Sequence, residues 1–303
     1  MRFSSLVLSA SLGAAATIIR QADNGCTNPT KRVEWRTMTP EVQKQYVNAV
    51  LCLKTKPSGM GLNTSRYDDF PYVHTNLDKT IHSVAMFLPW HRLFVQVYEE
   101  SLRNCGYTGP MAYWDWTLDT ADVSKAPVWD AVMAFGGNGN PAIDPMGRDT
   151  SKKCLVDGPL KNFEVAYTMK GLNPHCLTRN WNSGIEAPGN MLADAYTKEV
   201  IDGISALSNY KDFRYKLEGG PHGAIHSAVG GDMSPATSPN DPIFFLHHAQ
   251  IDRLWTQWQQ ENPRRKEPGE ASLKDVMPYL DLVPDIKVSE VMSTQTSRIC
   301  YTY

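Results

Sequence analysis

Apolar residues recur at steps of three and four along several stretches of this chain, which is the spacing of one face of an α-helix. Over residues 40–54 the pattern begins with Thr39 and Pro40, a cap and a proline suited to a first helical turn. Similar patterns predict helices over residues 89–103, 193–208, 219–228 and 241–260. Residues 121–168 are rich in Gly, Pro, Asn and Asp and predict a long irregular region. We therefore expect a mainly α fold with long irregular loops and little β structure.

The first 22 residues have the pattern of a secretory signal peptide. Arg2 is followed by an apolar run over residues 3–16 that ends in small side chains. This run is too short for a membrane span, which needs about 20 residues. We expect cleavage between Ala16 and Ala22, and export of residues 23–303 as one domain with no membrane segment.

Charge and cysteine content narrow the function classes. The 303 residues include 30 basic and 32 acidic side chains, a net charge of -2, with no basic stripe. This balance does not favour a nucleic-acid or membrane-surface partner. Six cysteines in an exported chain predict disulfides, although their pairing stays open. Cys154 and Cys176 are candidates to tie down the long irregular region.

Histidines carry the strongest chemical signal. Six of the eight form two groups of three: His74, His82 and His91, then His222, His226 and His248. The first two members of the second group are four residues apart, which places both rings on one helix face. Adjacent helix residues diverge by about 100°, so only one of His247 and His248 is expected to bind the same metal.

Groups of three imidazoles favour a transition metal, and the residues alone do not choose among copper, zinc, iron and nickel. A structural zinc site takes four protein ligands, so three ligands leave a position open. His74 is expected in a loop after Pro71, and His175 is expected to be structural. The tryptophans are expected to pack in the core: Trp114, Trp116, Trp255 and Trp258.

The strings around these histidines resemble those of a known family. Residues 87–92, Phe-Leu-Pro-Trp-His-Arg, resemble the copper A signature of the tyrosinase and polyphenol oxidase family. Residues 238–248 and their continuation to Trp255 resemble its copper B signature, and residues 113–116 and 230–233 are further matches. The closing Tyr301-Thr302-Tyr303 resembles the family's Tyr-x-Tyr motif, and Arg32 resembles the arginine that packs against it. The resemblance spans residues 26–303.

This resemblance implies a four-helix bundle around a dicopper centre. In that interpretation His74, His82 and His91 bind copper A, whereas His222, His226 and His248 bind copper B. The centre would use O2 to oxidise o-diphenols to o-quinones, so the partners are small phenols and O2. Further residues expected next to the ligands or in the substrate pocket are Phe87, Met233, Pro235, Ala236, Phe244, His247 and Asp252.

Four positions bear on the activity within the family. Neither Thr80 nor Asp78 is a cysteine, so we expect no thioether to His82. Gly223 stands where an asparagine is associated with hydroxylation, because that asparagine and a glutamate hold a water that deprotonates phenols. Glu218 matches the glutamate. These two candidate activity-tuning residues predict a catechol oxidase with weak or absent hydroxylation of monophenols.

Several alternatives stay open at this point. One is a true tyrosinase, and another is an oxidase of o-aminophenols or substituted phenols. A reversible oxygen carrier of the haemocyanin type would use the same kind of centre. A structural helical protein with incidental histidines and a zinc hydrolase are further possibilities, the latter weakened because no glutamate lies between His222 and His226.

Overall fold

A computed structural model describes residues 25–140, 153–182, 190–261 and 273–303. The predicted signal peptide over residues 1–22 lies outside these ranges. Within them the α-helices are α1 (Pro40–Thr55), α2 (Asp69–Ile81), α3 (Phe87–Asn104), α4 (Lys198–Ser205), α5 (Tyr210–Leu217), α6 (Gly223–Val229) and α7 (Ile243–Glu261). No helix in the described ranges has the length and apolarity needed to cross a membrane.

The strands are short and pair two by two, which confirms the expected scarcity of β structure. They are β1 (Thr30–Lys31), β2 (Val33–Glu34), β3 (Ala112–Tyr113), β4 (Glu164–Thr168), β5 (Gly171–Cys176), β6 (Val276–Met277), β7 (Ile286–Lys287) and β8 (Tyr301–Thr302). β1 lies parallel to β8, β2 lies parallel to β3, and the other two pairs are antiparallel. The β1–β8 pair joins the beginning of the described chain to its end.

Three disulfides use all six cysteines of the chain. Cys26–Cys300 lies beside the β1–β8 pair, and Cys52–Cys105 joins α1 to the residue after α3. Cys154–Cys176 ties down the irregular region, as its sequence position suggested. Because no cysteine is left free, none is available for a thioether to His82.

α3 and α7 form the centre of the fold and pack against each other. Both are buried along most of their length, α3 from Phe87 and α7 from Ile243 onwards. With α2 and α6 they make the four-helix core on which the predicted ligands lie. The predicted core role of the four tryptophans is confirmed, since each is no more than 1% exposed.

The loop predicted around His74 is wrong, because His74 lies within α2. Pro71 occupies the first turn of this helix, where the missing N–H of proline would have had no helical acceptor anyway. A second helix absent from the prediction is α5, whose first turn is capped by the side chain of Asn209.

Two of the predicted helices are shorter than expected. Residues 193–208 begin with a single 3-10 turn, and α4 starts only at Lys198, where Thr197 caps it. Residues 219–228 are interrupted by Gly220 (φ −96°, ψ −106°) and Pro221. A wide turn over Glu218–His222 absorbs this kink, and α6 follows it from Gly223.

Candidate metal centre

The first group of histidines comes from α2, its C-terminal end and α3. One ring nitrogen from each of His74, His82 and His91 lies within 4.8 Å of the others. Nε2 of His74 is 3.2 Å from Nε2 of His91. The kink after α2 makes this possible, since His82 leaves the helix in an extended conformation (φ −116°, ψ 150°).

The second group comes from the turn before α6, from α6 itself and from α7. It contains four histidines, His222, His226, His247 and His248, with one ring nitrogen each within 4.8 Å of the others. Nε2 of His226 is 3.4 Å from Nε2 of His248. The two groups are adjacent, since the rings of His91 and His248 stack with centroids 4.5 Å apart.

Backbone carbonyls fix the orientation of most of these rings. In the first group Nδ1 faces a carbonyl oxygen at 2.7 Å (His74 to Ala236), 2.8 Å (His91 to Phe87) and 3.1 Å (His82 to Asp78). In the second group the distances are 2.9 Å (His222 to Glu218) and 2.6 Å (His226 to Met233). A carbonyl oxygen only accepts, so Nδ1 carries the proton and the lone pair lies on Nε2.

Three buried ring nitrogens of the two groups have no hydrogen-bond partner, one of them Nε2 of His247 and the other two on predicted ligands. Nε2 of His222 and Nδ1 of His248 are buried and have no hydrogen-bond partner. For His222 this is the nitrogen that carries the lone pair in the tautomer fixed by Glu218. A buried lone pair without a donor is the arrangement that a metal ion would satisfy.

Burial keeps these imidazoles neutral. It lowers the pKa of His74, His91, His222 and His248 well below the ordinary value of 6.5, and neighbouring histidines lower it further. Burial likewise lowers the pKa of His226, to about 4. Only the neutral ring can bind a metal, so these five rings are prepared to coordinate at neutral pH.

Two phenylalanines form the apolar surroundings of both groups. The Phe244 ring stacks on His248 with centroids 4.0 Å apart and meets His74 edge-on at 5.1 Å. Phe87 lies 4.8 Å from the rings of both His91 and His222. Both phenylalanines are completely buried, so they contact the histidines from the side of the core.

The loop between α6 and α7 contributes backbone carbonyls to one histidine of each group. Met233, expected near the site, has a fully buried side chain, and its carbonyl accepts from His226. The carbonyl of Ala236 accepts from His74, and that of Pro235 accepts from the Ser238 N–H at 2.8 Å. Pro235 and Ala236 are partly exposed.

Glu218 links the two groups. Its carboxylate accepts a hydrogen bond, at 2.5 Å, from the backbone N–H of Ser83, the residue directly after His82. The same carboxylate forms an ion pair with Arg214 at 3.0 Å. Its backbone carbonyl accepts from His222. Gly223 has ordinary helical angles (φ −63°), and a Cβ there would meet only the Glu218 carbonyl oxygen, at 3.5 Å.

Asp252 lies one turn after His248 on α7 and anchors a buried ionic network. It accepts from Arg92 at 2.5 Å and from Arg32 at 3.3 Å, and both Tyr301 and Tyr303 donate to it. Burial by itself would raise the pKa of Asp252, but the two guanidinium charges and the two tyrosine hydrogen bonds together outweigh this effect and lower it. The expected packing of Arg32 is confirmed, since it lies 3.4 Å from the centre of the Tyr301 ring.

Three polar contacts at the site were not predicted from the sequence. The Asp78 carboxylate lies 3.0 Å from Nδ1 of His82, and the Trp116 indole N–H donates to Nδ1 of His247 at 3.2 Å. Arg214 pairs with Glu218. The spacing of Asp78 and His82, four residues apart, was an available signal, whereas Trp116 and His247 are 131 residues apart.

His175, expected to be structural, pairs with Asp232 at 2.9 Å.

The chain is similar in sequence and fold to known proteins. A family model described as the common central domain of tyrosinase matches residues 64–261. The tyrosinase-like protein phomQ1 of Diaporthe leptostromiformis is 38% identical over 92% of this chain and 78% of its own length. The tyrosinase ustQ of Aspergillus flavus is 37% identical over 92% of this chain and 80% of its own. A variant polyphenol oxidase of Thermothelomyces thermophila superposes with a TM-score of 0.77 at 30% identity, covering 91% of this chain and 88% of that one.

Proposed function

The chain belongs to the tyrosinase family of copper oxidoreductases, and we propose that it oxidises o-diphenols to o-quinones with O2 and hydroxylates monophenols weakly or not at all. In this proposal His74, His82 and His91 hold one copper ion. His222, His226 and His248 hold the other. The substrates are small phenols.

The donor set is the observation that supports this proposal most directly. Five of the six proposed ligands have Nδ1 committed to a carbonyl, which leaves Nε2 free for a metal. All-imidazole sites suit copper, and three protein ligands leave a position for an exogenous molecule. When bound, the copper pair supplies the electron exchange between the diphenol and O2.

The preference for diphenols rests on Gly223 and Glu218. Gly223 has no side chain that could hold a water at the first histidine of the second group. The Glu218 carboxylate already accepts a hydrogen bond from the Ser83 N–H and forms an ion pair with Arg214. The positive charge of Arg214 therefore compensates its negative charge. A monophenol must lose its proton before it is hydroxylated, and neither residue is set up to remove it.

We also propose that the protein is exported. The signal-peptide pattern of residues 1–22 supports this, and so do three disulfides that use every cysteine. Disulfides persist in oxidising compartments and are rare in the cytosol.

The test is oxygen uptake by the copper-loaded protein with 4-methylcatechol, with the quinone measured in parallel. We expect two bound copper ions per chain and one O2 consumed for every two quinones formed. The matched control is the same protein loaded with zinc, which binds the same ligands but has no redox chemistry. Two bound copper ions without quinone formation would contradict the proposal, and reversible O2 binding in that case would indicate a carrier.

A further inference from the structure

The second histidine group holds one imidazole more than the proposed copper site uses. His247 and His248 are neighbours on α7, and each offers a nitrogen within 4.8 Å of those of His222 and His226. The ring of His247 is 5.4 Å from that of His222 and 5.1 Å from that of His226. Proximity therefore does not exclude His247 as a fourth ligand.

A single hydrogen bond sets His247 apart. The Trp116 Nε1–H lies 3.2 Å from Nδ1 of His247, and both side chains are completely buried. An indole N–H can only donate, so Nδ1 must be the acceptor and the proton of the neutral ring lies on Nε2. This is the opposite tautomer to that of His222 and His226, whose Nδ1 atoms donate to carbonyls.

Neither nitrogen of His247 is therefore available to a metal. Nδ1 is engaged by the indole, and Nε2 carries a proton. That proton finds no acceptor of good geometry among the described residues, although the atom is buried. Leaving a buried donor unpaired has a cost in stability, so this orientation needs a cause outside the ring itself.

The cause is the attachment of the Trp116 segment to α7 on both sides of His247. The Trp114 N–H donates to the Leu246 carbonyl at 3.2 Å. The Asp115 carboxylate accepts from Gln250 at 2.9 Å and from Arg253 at 3.2 Å. The indole that follows Asp115 is thereby fixed against the turn of α7 that carries His247.

We propose that Trp116 is a positioning residue that withholds His247 from the metal, so that the second site has three protein ligands and keeps one position open. This inference rests on the proposed copper site. A fourth imidazole would close that site in the way that four protein ligands close a structural zinc site. The open position is where O2 or a phenol would have to bind.

Trp116→Phe tests this inference, because it keeps an aromatic ring and removes the donor. His247 would then be free to present a lone pair to the metal. The readout is the rate at which a coloured chelator removes zinc from the zinc-loaded protein. We expect one of the two zinc ions of the variant to be released about tenfold more slowly than in the wild type, which is the size of effect known for residues that orient metal ligands. We also expect the copper-loaded variant to lose most of its catechol oxidation.

The control is the removal of His247. His247→Phe alone should release zinc at the wild-type rate, and Trp116→Phe with His247→Phe should return zinc release to the wild-type rate. A merely structural role of Trp116 would predict faster release that His247→Phe does not restore. That result, or unchanged release from Trp116→Phe, would overturn the inference.

A second measurement needs no Trp116 variant. The ¹⁵N shifts of histidine-labelled, metal-free protein report which ring nitrogen carries the proton, and His247→Phe identifies the His247 signal. We expect a proton on Nε2, and a proton on Nδ1 would overturn the inference. A wild-type protein that binds zinc as described but does not oxidise catechol would contradict the proposed function alone.

Discussion

His74 on α2 donates from Nδ1 to the backbone carbonyl of Ala236, at 2.7 Å. Ala236 belongs to the loop between α6 and α7, and three residues earlier in that loop the Met233 carbonyl accepts from His226. One short loop therefore fixes the tautomer of a histidine in each group. A shift of this loop would disturb both proposed copper sites together.

Thr75 gives a way to weaken the anchor of this loop without touching a histidine. Its hydroxyl also donates to the Ala236 carbonyl, at 3.0 Å. We expect Thr75→Val, which keeps the shape and loses the donor, to lower the free energy of unfolding by about 1 kcal/mol. Chemical denaturation measures this, with Thr75→Ser as the control that retains the hydroxyl. Equal stability of the valine variant and the wild type would mean that this bond does not hold the loop.

Asp78 is expected to orient His82, which directly follows the last residue of α2. Its carboxylate lies 3.0 Å from Nδ1 of His82 and is 41% exposed. We expect Asp78→Asn to weaken the binding of one metal ion by about tenfold, the lower end for such partners, because solvent screens the charge. Competition with a chelator measures this. The control is Asp202→Asn, the same charge change on exposed α4, and an equal effect of both variants would exclude a specific role for Asp78.

Gly223→Asn is expected to raise monophenol hydroxylation relative to diphenol oxidation. A Cβ at this position meets the Glu218 carbonyl oxygen at 3.5 Å, an ordinary van der Waals contact, so the backbone accepts a side chain here. A positioned base raises the rate of a proton-transfer step by roughly 100-fold or more. We expect the ratio of hydroxylation to diphenol oxidation to rise by only about tenfold, because Arg214 already pairs with Glu218. The ratio of the two initial rates measures this change. Gly223→Ala, which adds a side chain without an amide, should leave the ratio unchanged, and an unchanged ratio in both variants would contradict the assigned role of Gly223.

His175 makes stability depend on pH. Its hydrogen bond to Asp232 raises the pKa of the imidazole above the ordinary value of 6.5. The folded state therefore binds the proton more tightly, and this stabilisation is complete below about 6.5 and lost as pH rises through the folded-state pKa. We expect the stability difference between the wild type and His175→Gln to be larger in acid than in alkali, measured by denaturation across this range. A difference that is independent of pH would show that the pair is not charged.

Local patterns identified the parts of the site that depend on neighbours in sequence. The four-residue spacing of His222 and His226 and the start of α1 at Pro40 follow directly from the sequence, although the Thr39 side chain makes no capping hydrogen bond. The predicted loop after Pro71 is α2 in the structure, and the spacing of Phe70, Val73 and Leu77 is helical. A proline in the first turn is compatible with a helix, so the periodicity was the better guide.

Contacts between distant segments were beyond such patterns. Nothing local indicates that Trp116 reaches His247 or that the Glu218 carboxylate accepts the backbone N–H of Ser83. The pairing of Cys26 with Cys300, 274 residues apart, also depends on how the chain ends meet. These relationships arise from packing, and for His74 and His247 packing also decides which ring nitrogen carries the proton.

The most direct test of the account is oxygen uptake by the copper-loaded wild-type protein, first with a catechol and then with the matching monophenol. Rapid uptake with the catechol and little or none with the monophenol is the result we predict from Gly223 and the engaged Glu218. Uptake with both, the monophenol after a lag, would make the protein a tyrosinase and contradict the assigned preference. No uptake with either, despite two bound copper ions per chain, would contradict the oxidase function itself.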